Sequence, residues 1–314
     1  MRINRLGFYA WAVVALNLVV VLWGVVVRAT GSGAGCGSHW PLCNGVVVPL
    51  DPTVHTVIEF THRLTSGLDV VAVVLLWLLV RLRLPRGHQA RLWASLTLFF
   101  IFTEALIGAA LVLLGLAVNH PHDPGLQAGM TGLHLINTFL LLASATLAAR
   151  AVSGGGALQF RPQSATRWLL LLSLVMTLLL GASGAIAALG DTLFPVSTLA
   201  AGLRQDFSPT TNILLHLRVI HPALALVVAV LLFTVAARAA SEQPDPEVLR
   251  WSTMLRGLVL LQVLAGAVNL LLAAPIAMQL IHLLLADLLW LSAVLLWASV
   301  LARPLPQLRF REQA

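Results

Sequence analysis

Glu59-Phe60-Thr61-His62-Arg63 stands just inside an apolar run long enough to cross a bilayer. An acid, an imidazole and a guanidinium within five residues are costly there. Such groups persist mainly where they face a bundle interior and act on something. The pentapeptide therefore predicts a helical membrane protein with a polar site inside it. Of 314 residues, 59% are hydrophobic and 10% charged, against roughly 25% charged residues in a soluble domain. Every basic residue is arginine. Their excess would suggest nucleic acid in a soluble protein. In a membrane chain it reports loops retained on the cytoplasmic side, so the lipid bilayer is the expected partner and nucleic acid is not.

Working outward, eight apolar segments emerge at about 8–28, 56–80, 92–116, 127–150, 167–188, 212–237, 251–273 and 277–301, each near the ~20 residues that a bilayer core requires. The first follows Arg2 and Arg5 as a signal peptide would, but its run exceeds the 7–15 residues of a signal-peptide core and predicts a retained helix. Fifteen arginines fall on one side of the membrane and four, Arg28, Arg63, Arg204 and Arg218, on the other. That bias predicts cytoplasmic termini and an outward-facing loop around Cys36 and Cys43.

The Gly154-Gly155-Gly156 region predicts a linker over 153–166 between an N-terminal half, 1–152, and a C-terminal half, 167–314. The halves resemble each other. Glu104-Ala105-Leu106-Ile107-Gly108 aligns with Gln262-Val263-Leu264-Ala265-Gly266, and Leu133-His134-Leu135 with Ile281-His282-Leu283. Gly24 through Gly31 matches Gly181 through Gly190 more loosely. Four helices per repeat insert both copies the same way up. The expected fold is all-α, two tandem four-helix bundles related by a pseudo-twofold axis along the membrane normal.

Ten histidines are present, and the repeat sorts them. His62 and His134 fall on alternate segments of the first half, and His221 and His282 take the same places in the second. Two imidazoles facing across a four-helix bundle suit the axial positions of a haem iron. A lone helix histidine is as readily explained by a hydrogen bond to a neighbour, but two pairs placed alike are not. Zinc usually takes a third or fourth protein ligand, and no carboxylate recurs at equivalent positions. His216 lies about 140° around the helix from His221, so both cannot serve one iron; a haem propionate contact or a helix cap is its expected role.

Glu59 precedes His62 by three residues and shares its helix face, whereas Arg218 stands three before His221. That asymmetry suggests chemistry in one half and electron transfer in the other. The alternative is that Glu59 only pairs with Arg63 or Arg28. Asp69, Glu104 and Asp287 are further acids within spans and site candidates by position. The glycine-rich loop Gly31-Ser32-Gly33-Ala34-Gly35-Cys36-Gly37-Ser38-His39-Trp40-Pro41-Leu42-Cys43 follows no strand and lacks the lysine of a phosphate-binding loop. Its two thiols lie on the side where disulfides persist, and flexible glycines would let them meet as a staple or as a redox-active pair.

The segment from Gly24 through Val27-Arg28-Ala29-Thr30 to Cys43, the Glu59-x-x-His62-Arg63 motif and Ala188-Leu189-Gly190-Asp191-Thr192-Leu193-Phe194-Pro195 resemble the haem A synthases over essentially the whole chain. The resemblance implies a membrane oxidoreductase that converts the C8 methyl of haem O to a formyl group, giving haem A for terminal oxidase assembly. It implies that His62 and His134 bracket substrate haem O and that His221 and His282 hold a haem B cofactor. It further implies that Glu59 is the essential acid and that Cys36 and Cys43 form a disulfide. Implied partners are haem O synthase as haem donor, an electron donor that the sequence does not identify, and the oxidase assembly machinery in the cell membrane; a homo-oligomer is allowed. His221-Pro222 departs from the family's usual His-Arg and puts propionate contacts in doubt. Water as nucleophile, with Glu59 taking a proton, is the expected chemistry. Two rivals remain: a di-haem b-type cytochrome that only transfers electrons and needs no Glu59, and a transporter with parallel repeats and no haem.

Overall fold

The computed structural model describes residues 5–117, 122–159, 165–208 and 213–302, without the side chains at 213, 214, 216 and 217; His120 and the side chain of His216 lie outside the described residues. The described residues form nine helices: α1 (Arg5–Ala29), α2 (Val54–Arg83), α3 (Ala90–Leu113), α4 (Pro124–Val152), α5 (Ala165–Leu193), α6 (Leu199–Asp206), α7 (Ile213–Glu242), α8 (Pro246–Leu271) and α9 (Ile276–Leu301). Eight are long and apolar enough to cross a membrane. The short α6, inside an expected outer loop, carries no membrane-length apolar signal.

Local chemistry sets the ends. Asp123 and Asp245 each precede a proline and cap their helices, accepting from Leu126 N–H at 2.9 Å and Glu247 N–H at 2.8 Å. Proline suits the first helical position because its missing donor would be unpaired there anyway. Thr53 caps α2 by accepting from Thr56 N–H. Gly115 and Gly154 follow α3 and α4 at positive φ (64° and 86°), which glycine adopts without steric cost.

Two rings of four helices follow. α1 packs on α2, α2 on α3, α3 on α4, and α4 closes back on α1; α5, α7, α8 and α9 repeat that order. The same neighbour order in both is consistent with a tandem repeat inserted in one sense. The rings meet through α4 and α9, with α5 and α1 beside them. In α4 and α9, 72% and 67% of the most apolar window is buried, against at most 22% in the other six spans. Those six turn leucine, valine and phenylalanine outward (Leu68, Phe99 and Leu226 among them), as a lipid-facing surface requires.

Lipid is as apolar as leucine, so membrane helices associate through close packing and polar contacts. At the junction, Phe139 and Trp290 stack with ring centroids 5.2 Å apart, and Trp290 Nε1 donates to the Phe139 carbonyl at 2.6 Å. Gly181 admits that phenylalanine, since a β-carbon there would stand 3.0 Å from Phe139 Cε2. Near the other end of α4, Arg150 donates twice to Glu247, each at 3.0 Å. Arg28 crosses between the rings, donating to the Ala188 carbonyl and Thr192 at 2.6 Å and to Gln279 at 2.7 Å.

Candidate functional site

All four histidines singled out by the repeat lie within the rings, each ring edge against a glycine of the preceding spanning helix. A β-carbon on Gly24 (α1) would stand 3.3 Å from His62 Cε1, and on Gly108 (α3) 3.6 Å from His134 Cε1. In the second half, a β-carbon on Gly184 (α5) would stand 2.8 Å from His221 Cε1, and on Gly266 (α8) 3.0 Å from His282 Cε1. Gly184, not Gly181, is therefore the structural counterpart of Gly24, which corrects the looser sequence match. The four glycines let the Cε1 edge of each imidazole approach a neighbouring helix closely, a role that composition alone does not reveal.

In the first half, His62 lies within electrostatic reach of His134 and Glu104. Glu104 Oε1 accepts from His134 Nε2 at 2.9 Å. Thr138 Oγ1 and Asn137 Nδ2 also donate to that carboxylate, at 2.5 and 2.6 Å, and Asn137 is braced by Thr103 at 2.7 Å. In the second half, Gln262 holds the place of Glu104, its Nε2 lying 3.2 Å from His282 Nε2. His221 Nδ1 meets Ser183 Oγ at 3.0 Å. A second nitrogen fixed by an outer partner is how ligating histidines are usually oriented.

The His221 and His282 rings have centroids 6.5 Å apart and planes at 83°. Two metal–nitrogen bonds of about 2.0–2.1 Å, plus roughly 1 Å from each nitrogen to its ring centre, span about 6 Å. That separation would let the two imidazoles hold one metal ion between them. Nδ1 of His62, His134 and His282 is buried with no hydrogen-bond partner. Among the described residues no three His, Cys, Asp or Glu gather to hold a metal ion by themselves, so the paired imidazoles are the available donor set.

Above His62 lies the cysteine loop. Cys36 and Cys43 are bonded as a disulfide and both are buried. Glu59 Oε2 accepts the Cys36 N–H at 2.7 Å. Glu59 Oε1 accepts from Arg63 Nε at 3.0 Å, with a second bond from Arg63 Nη2. Arg63 Nη1 in turn donates to the His39 and Leu42 carbonyls at 2.5 and 2.7 Å. Gly31, Gly37 and Gly45 of the loop take positive φ (65°, 64° and 80°), while Gly33 and Gly35 serve close packing. A β-carbon on Gly35 would stand 2.7 Å from Thr56 N and collide with the His55 carbonyl, and Thr56 Oγ1 donates to the Gly35 carbonyl at 2.9 Å.

The second half repeats this arrangement with reversed charge. Arg218 is buried and donates to Asp206 of α6 through Nε at 2.9 Å and Nη2 at 2.5 Å, and to Asp191 at 2.9 Å. The residue three before the first histidine of each half thus fastens the segment that joins that half's first two spanning helices. The acid asymmetry that touches a ring nitrogen is Glu104 against Gln262, not Glu59 against Arg218. Of the remaining acids, Asp69, seven residues beyond His62 on α2, accepts from Asn17 at 3.0 Å. Asp287 is fully buried and neither of its carboxylate oxygens has a hydrogen-bond partner.

Residues 7–294 match the model of a family described as cytochrome oxidase assembly protein. A Thermus thermophilus protein named protoheme IX farnesyltransferase is 46% identical over 300 residues, covering 96% of this chain and 49% of that protein. A heme A synthase from Shouchella clausii is 44% identical over 98 residues, 31% of this chain and 33% of that protein. A heme A synthase from Bacillus mycoides is 42% identical over 111 residues, 34% of this chain and 36% of that protein. The chain thus spans about half the length of the Thermus relative and aligns to about a third of each heme A synthase.

Proposed function

The chain belongs to the cytochrome oxidase assembly protein family, and on that premise we propose that it is a haem A synthase, oxidising the C8 methyl of haem O to a formyl group. What supports the reading is the duplicated pair of helix histidines, each laid on a glycine, with the His221 and His282 rings 6.5 Å apart. A transporter needs no such pairs.

In this reading the first half, 1–152, takes haem O between His62 and His134. The second half, 167–314, holds haem B between His221 and His282. When bound, haem B supplies one-electron transfer. Conversion of a methyl to an aldehyde with water as oxygen source releases four protons and four electrons, which pass to an external acceptor A that takes two electrons and two protons each time: R–CH3 + H2O + 2 A gives R–CHO + 2 AH2. The methyl passes through the alcohol and the gem-diol, which loses water. Glu59 lies one turn outward from His62 on the same helix face and takes a proton released at the methyl. Arg63 and the Cys36 amide fix its orientation. The disulfide loop, packed on the start of α2, closes the outer end of the site. His134 and His62 orient the porphyrin so that one edge meets that end.

The arginine bias supports placing the chain in the cell membrane with both termini cytoplasmic and the disulfide loop outside. The Thermus relative supports a haem donor of matching chemistry. It carries a farnesyltransferase name on a protein about twice as long as the aligned region, and farnesylation of protohaem IX yields haem O. An enzyme making haem O is therefore the proposed supplier, and the oxidase assembly machinery the consumer.

The deciding experiment is haem analysis of the purified protein from cells that make haem O, by pyridine haemochrome and chromatography. Haem B with haem O and haem A is expected, with haem A formed from added haem O. Haem B alone, with no conversion, would establish the electron-carrier reading instead.

A further inference from the structure

Each ring of helices brings one side chain from its third spanning helix onto Nε2 of its fourth-helix histidine. In the first ring this is the carboxylate of Glu104, 2.9 Å from His134 Nε2. In the second it is the amide nitrogen of Gln262, 3.2 Å from His282 Nε2. The two side chains stand four residues before the glycines that seat those histidines, Gly108 and Gly266. Their positions are equivalent and their chemistry is opposite.

A carboxylate that accepts needs a donor, so Nε2 of His134 carries the hydrogen in that contact. An amide NH2 donates, so Nε2 of His282 offers its lone pair. A ring nitrogen binds iron through that lone pair. In the second half the lone pair is already directed outward from the ring and held by a neutral group. In the first half that nitrogen carries a hydrogen held by a carboxylate, so it offers iron no lone pair until the bond breaks and the proton moves to Nδ1, and a bond involving an ionised partner is roughly twice as strong as a neutral one. Glu104 is also independent of His134 for its placement. Thr138 and Asn137 donate to it at 2.5 and 2.6 Å, so the carboxylate stays in position when His134 turns away and remains ready to recapture it.

We propose that Glu104 is a positioning residue that makes His134 a displaceable iron ligand, and that Gln262 leaves His282 a standing one. Haem then exchanges through the first half, while haem in the second half is retained. The difference lies in one side chain on each third helix. It gives the duplicated scaffold one site that releases product and one that keeps its cofactor. The inference rests on the haem reading above and deepens it.

The test measures haem loss, independent of catalysis. Wild type, Glu104→Gln and Gln262→Glu proteins, purified in detergent with their haems, are mixed with excess apomyoglobin as haem acceptor. Transfer of haem O or haem A and of haem B is followed separately by chromatography. Wild type is expected to give up its haem O or haem A at least about tenfold faster than its haem B, the scale of one hydrogen bond to a charged group. Glu104→Gln should slow the first-half loss by a similar factor and raise the haem O or haem A that copurifies. Gln262→Glu should speed haem B loss. The two variants probe the same rule from opposite sides, so misfolding of one leaves the other decisive. Unchanged exchange in a folded Glu104→Gln or Gln262→Glu protein that binds haem overturns this inference and leaves the haem reading intact. Wild type that binds no haem overturns both.

Discussion

Glu59 holds the backbone of Cys36, accepting its N–H at 2.7 Å, and through that bond ties the disulfide loop to the helix that carries His62. Arg63 completes the clamp from the same helix, reaching the Glu59 carboxylate and the loop carbonyls of His39 and Leu42. An acid expected to serve chemistry therefore has an architectural task as well. The two tasks separate experimentally, because an amide oxygen still accepts a hydrogen bond but takes no proton.

Glu59→Ala should keep most of its haem and form no haem A. Its Cys36–Cys43 bond, buried in the wild type, should become several-fold more reactive toward a dithiol reductant, read by thiol labelling. Glu59→Gln should protect the disulfide nearly as well as wild type and still form no haem A. Product formation by Glu59→Gln at wild-type rate would confine Glu59 to holding the loop.

Arg218 does the corresponding work in the second half, and its loss should be costly. Arg218→Ala leaves Asp206 and Asp191 without the guanidinium that bridges them, and breaking a largely buried pair this way typically costs about 3–5 kcal/mol. A lower melting temperature and release of α6, seen as faster proteolysis between residues 195 and 208, are expected. A variant with wild-type melting and proteolysis would show that the segment between α5 and α7 is held by other contacts.

The ligand assignment makes its own demand. His282→Ala should lose most of the tightly held haem B while haem O or haem A bound by the first half persists. An unaltered haem B content would remove His282 from the iron.

Hydropathy alone carried the eight spans, because length and apolarity are what a bilayer tests. The histidine pairs were legible because duplication repeats the same residue at the same depth. What stayed hidden depends on how each helix is rotated against its neighbours. Gly181 and Gly184 lie about 300° apart along the helix, hence roughly 60° on one face, and spacing cannot say which one meets a histidine. Gly181 meets Phe139 and Gly184 meets His221. Glu104 was visible as an intramembrane acid, and its alignment with Gln262 was visible too. That both reach a ring nitrogen is a side-chain fact that no pattern encodes. α6 escaped because eight residues are too short to give a membrane-length apolar run.

The glycine seats give a graded series whose order follows from distance alone. A methyl at Gly184 would approach His221 to 2.8 Å and one at Gly266 would approach His282 to 3.0 Å, while Gly24 and Gly108 allow 3.3 and 3.6 Å. Carbon atoms gain most at about 3.5–4.0 Å, so the first two substitutions force a ring to move and the last is ordinary contact. Haem retention should therefore fall most in Gly184→Ala, less in Gly266→Ala, slightly in Gly24→Ala and hardly at all in Gly108→Ala. Gly67 and Gly257 have nothing within 4 Å of an added β-carbon. Alanine there should leave haem content unchanged and, through helix propensity, stabilise by up to about 1 kcal/mol. Haem per protein measured across the six variants checks the order. If Gly108→Ala lost as much haem as Gly184→Ala, the rings would not sit on the glycines as described.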